Sequence, residues 1–178
     1  MRSISKPQYT TYFQEWLQFI LFVGGYSLLN YLYFKIPVYL FIDVIYYQGV
    51  TMVCADLINW IAPVEQVTAD HNYLLSANAK LEIVRGWDGA GVLFLLISAI
   101  VVFPSNWRRK CLGLIGGIGL IYGLNLLRIS MLYFVITYHA NEFILIHTYL
   151  APTLMILASC CYFAWWAFGS KKPMYVPA

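Results

Sequence analysis

Five apolar runs divide this chain: Trp16–Phe34, Val38–Ile61, Gly89–Phe103, Cys111–Tyr138 and Ile146–Phe168. A helix needs about 20 residues to cross a bilayer, and in lipid each segment must satisfy its own backbone polar groups. Runs of this length point to helices in a membrane. Hydrophobic residues make up 61% of the chain and charged residues only 11%, against about 25% charged in a soluble domain. The expected fold class is an all-α integral membrane protein, built as a single membrane domain. A net charge of +3, with no basic stripe interleaved with aromatics, argues against nucleic acid as a partner. Cys54, Cys111, Cys160 and Cys161 show no CxxC or metal-ligand spacing, so neither a zinc site nor a disulfide framework is expected, and no cofactor is called for. The first run is too long for the apolar part of a cleavable signal peptide, and no A-x-A site follows it.

Charge selects the runs that cross. Arg2 and Lys6 precede the first run, Arg108–Lys110 lie between the third and fourth, and Lys171 and Lys172 follow the last. Cytoplasmic loops carry the excess of Lys and Arg, so all three clusters belong on the cytoplasmic side. Five crossings would put Arg108–Lys110 outside. Four crossings satisfy the rule if Val38–Ile61 lies in the outer interface, which suits its Asp43, Gln48, Asp56 and Asn59. Seven of the eleven basic residues then fall inside, and seven of the eight acidic residues outside. Both termini are expected in the cytoplasm of a cell with this chain in its inner (plasma) membrane. Residues 1–60 read as an anchor helix and an interfacial helix, 61–170 as the core, and 171–178 as a cytoplasmic tail. "QVTADHNYLL" and "KLEIV" flank "SANA", which predicts a β-hairpin turning at Ser76–Ala79 on the outer side.

Arg128 lies inside the fourth run. A charge in the bilayer centre costs about 3 kcal/mol or more unless paired or hydrated, and such residues mark function more often than not. Asn125 and Tyr122 precede it at helical spacing and share its face. His147 opens the last run and Asp88 the third, both at outer ends. Three polar groups gathered on one membrane face make a candidate site. His71 and His139 fall in outer loops and read as solvated. The glycines at 113, 116, 117, 119 and 123 read as close helix packing, with small-xxx-small spacing at Gly113/Gly117 and Gly119/Gly123.

"NLLRISMLY" (Asn125–Tyr133) followed by "HTYLAP" (His147–Pro152) resembles the exosortase/archaeosortase family, in particular its short members. The preceding "LEIVRGWDGAGVLFLLISAIVVFPSNWRRKCLGLIGG" is similar as well, and the likeness covers roughly residues 60 to 168. The resemblance implies a membrane-embedded cysteine-type peptidase or transpeptidase. Such an enzyme acts on a C-terminal sorting signal made of a short motif, a transmembrane helix and a basic tail. It also implies catalytic roles for Arg128 and His147, with Asp88 beside them and Gly89 and Asn125 in support. The family's cysteine falls in a C-x-G motif at the start of the third run, which here reads Trp87-Asp88-Gly89.

Tryptophan therefore stands at the nucleophile position, and indole cannot attack a peptide carbonyl. Cys54 is the other outer-side cysteine and the alternative nucleophile. The expectation is a degenerate exosortase-like protein that acts on or binds the transmembrane sorting signal of an exported protein. The alternatives are an active membrane peptidase with a non-standard nucleophile and a non-enzymatic small subunit of a membrane complex. An Asp88–Arg128 pair would be structural, whereas an Asp88–His147 pair could act as a general base.

Overall fold

A computed structural model describes residues 8–86 and 88–169. The expected cytoplasmic tail, 171–178, lies outside the described residues. The fold class is as expected: an all-α membrane protein carrying a small antiparallel sheet. Helix α1 spans Gln8–Lys35, α2 Val38–Ile61, α3 Ala90–Val102, α4 Trp107–Tyr138 and α5 Ala140–Phe168. Strands β1 (Thr68–Asp70), β2 (Tyr73–Leu75) and β3 (Lys80–Glu82) form a sheet in that order between α2 and α3.

Among the described residues four helices are long and apolar enough to cross a membrane, and they are not the expected four. Val38–Ile61, assigned to the interface on its polar residues, is one continuous helix of 24 residues and belongs to the set. The third run yields a helix of only 13 residues, about 20 Å long at 1.5 Å per residue. Local chemistry cuts it at both ends. Gly89 enters at φ +82°, and Pro104 bars Phe103 from the helical region, leaving it extended at ψ 132°.

Helices α1, α3, α4 and α5 form an antiparallel bundle. Gly25 of α1 faces Ser98 of α3, while Phe34 reaches Gly86 at the other end. Along α4, Lys110 bonds the Val101 carbonyl, Gly117 meets Leu96, and Asn125 meets Gly89. Gly113 and Gly116 lie against Trp166 and Tyr162 of α5, and the Tyr162 hydroxyl donates to the Gly113 carbonyl at 2.8 Å. The expected packing role thus applies to Gly113, Gly116 and Gly117. It does not apply to Gly119 and Gly123, which have open space where a Cβ would stand. At the same end of the bundle Arg109 donates to the Trp166 and Ala167 carbonyls. With Lys110 on Val101, the basic first turn of α4 satisfies the last carbonyls of α5 and α3, where helix dipoles favour positive charge.

Helix α4 has 32 residues, about 48 Å, against a hydrocarbon core of about 30 Å. Its far end carries the sheet. Tyr133 donates to Glu65 Oε2 at 2.8 Å and shares a 2.7 Å bond with the Ser76 hydroxyl, and Tyr138 donates to Glu65 Oε1. The expected turn at Ser76–Ala79 forms, closed by Ser76 N–H to Ala79 O at 3.0 Å. An additional strand, β1, arises because the chain reverses at Asp70-His71-Asn72, with His71 at φ +53°. Asp and Asn favour turns by bonding their own backbone. The sheet runs along α2: Asp43 approaches His71 at 3.6 Å, and Asn59 exchanges two bonds with Val67, at 2.8 and 2.7 Å. Two apolar cores result. Phe41, Tyr46, Cys54, Ile58, Leu74, Leu81 and Tyr133 bind the sheet to α2 and α4. Leu96, Ile100, Ile121, Met155 and Trp166 fill the bundle.

Candidate functional site

Asp88, Gly89, Asn125, Arg128 and His147 all fall at the level where the bundle meets the sheet, and they divide between two sides of α4. Asp88 and Asn125 line a cavity of about 300 Å³ between α2 and α3, walled by Tyr33, Phe41, Tyr46 and Tyr122. Arg128 and His147 line a separate cavity of about 380 Å³, with Leu81–Val84 of the sheet, Ile129, Leu132, Phe143 and Thr148.

The Asp88 carboxylate accepts hydrogen bonds from the hydroxyls of Tyr33 on α1 and Tyr46 on α2. Its other oxygen accepts the Ala90 N–H at 3.2 Å, capping the first turn of α3. No direct ion pair joins Asp88 to Arg128 or His147 among the described residues; Asp88 and Arg128 interact only through space. Neither pairing expected for this aspartate forms, because two phenols and a backbone amide occupy it. Gly89 is required twice. Its φ of +82° suits glycine, and a Cβ there would stand 2.9 Å from Asn125 Oδ1 and 3.0 Å from Met155 Cε. Asn125 is buried with its Oδ1 unbonded among the described residues.

Arg128 is 8% exposed, and its Nε has no hydrogen-bond partner among the described residues. A buried charged donor left unbonded costs several kcal/mol, on the order of the penalty for any half-made buried pair. Arg128 also lines a second, apolar cavity of about 180 Å³ between α4 and α5, with Leu124, Leu127, Met131, Leu132, Leu154 and Met155. Its side chain thus stands where a mixed cavity under the sheet meets an apolar groove between two membrane helices. His147 stacks on Phe143 at 5.2 Å, with the rings 6° from parallel. It sits on Ile146–Leu150, which winds as π-helix. Pro152 explains this locally: it has no N–H to offer the Thr148 carbonyl, so the helix widens before it. Tyr46, the partner of Asp88, lies on the other π-wound stretch, Phe41–Thr51, whose Gly49 carbonyl accepts the Tyr122 hydroxyl.

Cys54 is 0% exposed and sits against the Leu126 carbonyl, with Sγ 3.8 Å from the oxygen. It lines none of these three cavities. Trp87, at the nucleophile position of the resemblance, lies outside the described residues. The cavity of Arg128 and His147 is lined by no thiol among the described residues. What it holds is a buried cation, an imidazole and the edge of a strand, a set suited to binding and polarising a carbonyl.

Sequence reasoning missed three features. The phenols of Tyr33 and Tyr46 are separated from Asp88 by 55 and 42 positions, and nothing local singles them out among 15 tyrosines. The strand wall of the cavity needed the sheet's docking on α4. The apolar groove is made of ordinary membrane residues. Compared with known proteins, the chain matches no family model, no curated protein and no solved structure.

Proposed function

We propose that this chain is an exosortase-like membrane protein that binds the C-terminal transmembrane tail of an exported protein without cutting it by cysteine chemistry. It sits in the plasma membrane with both termini in the cytoplasm and the sheet outside. The tail's membrane helix lies along the groove between α4 and α5, and the residues preceding it enter the cavity of Arg128 and His147.

The observation that carries this reading is the position of Arg128, shared by the apolar groove and the cavity under the sheet. A membrane helix that continues into a short polar segment needs both environments side by side. The topology is supported by Arg109 and Lys110 at one end of the bundle and the polar sheet at the other. The orientation of α2 fits as well, since both its ends touch the same outer sheet. Absence of cysteine cutting follows from Trp87 in the motif and from the enclosure of Cys54.

Photocrosslinking in cells tests the reading. A photoreactive amino acid replaces Met131, in the groove, or Thr148, in the cavity. The co-expressed partner is a secreted reporter ending in an apolar helix and a Lys/Arg tail. Crosslinks from both positions to an uncut reporter, lost when the helix and tail are deleted, are expected. Crosslinks that persist without the helix and tail would contradict it, as would none at all with the protein folded in the membrane.

A further inference from the structure

The wall of the Arg128 cavity contains four consecutive residues, Leu81, Glu82, Ile83 and Val84. Leu81 and Ile83 are buried under the sheet, whereas Glu82 and Val84 are exposed on its other face. Side chains alternate along a strand, so a cavity that touches all four runs along the strand's edge and not over one face. β3 is the edge of the sheet; among the described residues it pairs with β2 and with no further strand. Which backbone groups face outward follows from the register. Ala79 O accepts from Ser76, Ile83 N–H donates to Asn72 O at 2.8 Å, and Leu81 stands opposite Leu74. Residues 79, 81 and 83 therefore face β2. By the antiparallel alternation the N–H and C=O of Glu82 and Val84 face the cavity, without a partner among the described residues. Arg128, buried and with its Nε unbonded among the described residues, lines the same cavity.

We propose that this free edge docks an extended polypeptide as a fourth strand, whose backbone pairs with Glu82 and Val84 and presents a carbonyl to Arg128. The occupant is a peptide and not a lipid because the unsatisfied groups form a row of alternating donors and acceptors. A headgroup could match Arg128 but not a strand edge. Exposed edges are otherwise a liability that folds cover or blunt, and strand addition is a common mode of peptide recognition. Its affinity comes from main-chain bonds, so it tolerates sequence variation. This inference rests on the proposed binding of a membrane-anchored tail only for the identity of the occupant. It supplies the recognition step: the edge would read the extended segment ahead of the tail's helix.

The test uses the full-length protein in nanodiscs and two synthetic probes. One is an extended segment of alternating Val and Thr; the other is the same segment followed by a leucine-rich helix and a lysine tail. Single N-methyl groups are placed on successive backbone amides of each probe. Strand addition predicts a two-residue period: methylation at alternate amides weakens binding about tenfold, and at the intervening amides has little effect. Glu82→Pro, which removes one outward N–H at an edge position that tolerates proline, should weaken binding similarly while leaving the melting temperature within a few degrees. Should Glu82→Pro not fold, the N-methyl series decides alone. Binding of the longer probe with no two-residue period overturns the strand inference and leaves the membrane-tail reading standing. A clear period with no gain from the helix and tail upholds the inference and overturns that reading. A co-purified phospholipid lost on Arg128→Gln, with neither probe bound, assigns the cavity to lipid and overturns the inference.

Discussion

The hydroxyl of Tyr46 donates to the carboxylate of Asp88, tying the π-wound part of α2 to the first turn of α3. Tyr33 of α1 donates to the same oxygen, so one carboxylate joins three helices. Removing a donor leaves a half-buried anion short of a bond, which costs about 1 kcal/mol or more. Tyr33→Phe and Tyr46→Phe should each lower the melting temperature in detergent, and the double variant more than either. Asp88→Asn should be milder than Asp88→Leu, since an amide oxygen still accepts both phenols. An unchanged melting temperature in the double variant would show that the carboxylate is satisfied by water.

Gly89 meets two separate obstacles to a side chain: a left-handed backbone and the nearby Asn125 Oδ1. Gly89→Ala should destabilise by about 1–3 kcal/mol. Adding Asn125→Ala should recover only part of this, because the strained φ of +82° remains. Full recovery in a double-variant melting experiment would mean that the backbone relaxes and only the contact mattered.

Glu65 governs how the sheet responds to acid. The phenol of Tyr138 first, then that of Tyr133, holds its carboxyl below the usual carboxylate range, while desolvation opposes the shift. A depressed folded value means the stability is fully present above the unfolded value, about 4.3. It is lost as pH falls through the lower folded value. Acidification through this window should therefore speed hydrogen exchange of the β1–β3 amides before those of α4. Glu65→Gln should flatten this dependence. A sheet equally protected on both sides of the window would show that Glu65 does not anchor it.

Much of this architecture is legible in the chain because membranes impose simple rules. Apolar length marked the helices, and the SANA turn was visible because Ser and Asn bond their own backbone. Length alone does not choose which helices span: Val38–Ile61 is long and apolar enough, yet residues near both its ends contact the segment that carries β1. Of the polar residues in Val38–Ile61, Asp43 stays half-exposed beside His71, whereas Asn59 is taken up by its two bonds to Val67. Arg128, His147 and Asp88 were legible as rare polar residues in apolar surroundings. Their division between two cavities was not, since it depends on which side of α4 each neighbour packs. Tyr133, enclosed between Glu65 and Ser76, carries the sheet but looks in sequence like any other aromatic of a membrane helix.

Arg128 is buried without a direct ion partner among the described residues, which makes it costly to the fold and, on the proposed function, valuable to binding. Arg128→Met removes the charge and keeps the apolar length. The direct measurement pairs the melting temperature of this variant with its affinity for a reporter ending in an apolar helix and basic tail, both in nanodiscs. Affinity should fall about tenfold or more, as for loss of a charged hydrogen bond. The melting temperature should hold or rise, because replacing buried charge with apolar volume is neutral or stabilising. A lower melting temperature with affinity unchanged would contradict the account and make Arg128 a structural residue.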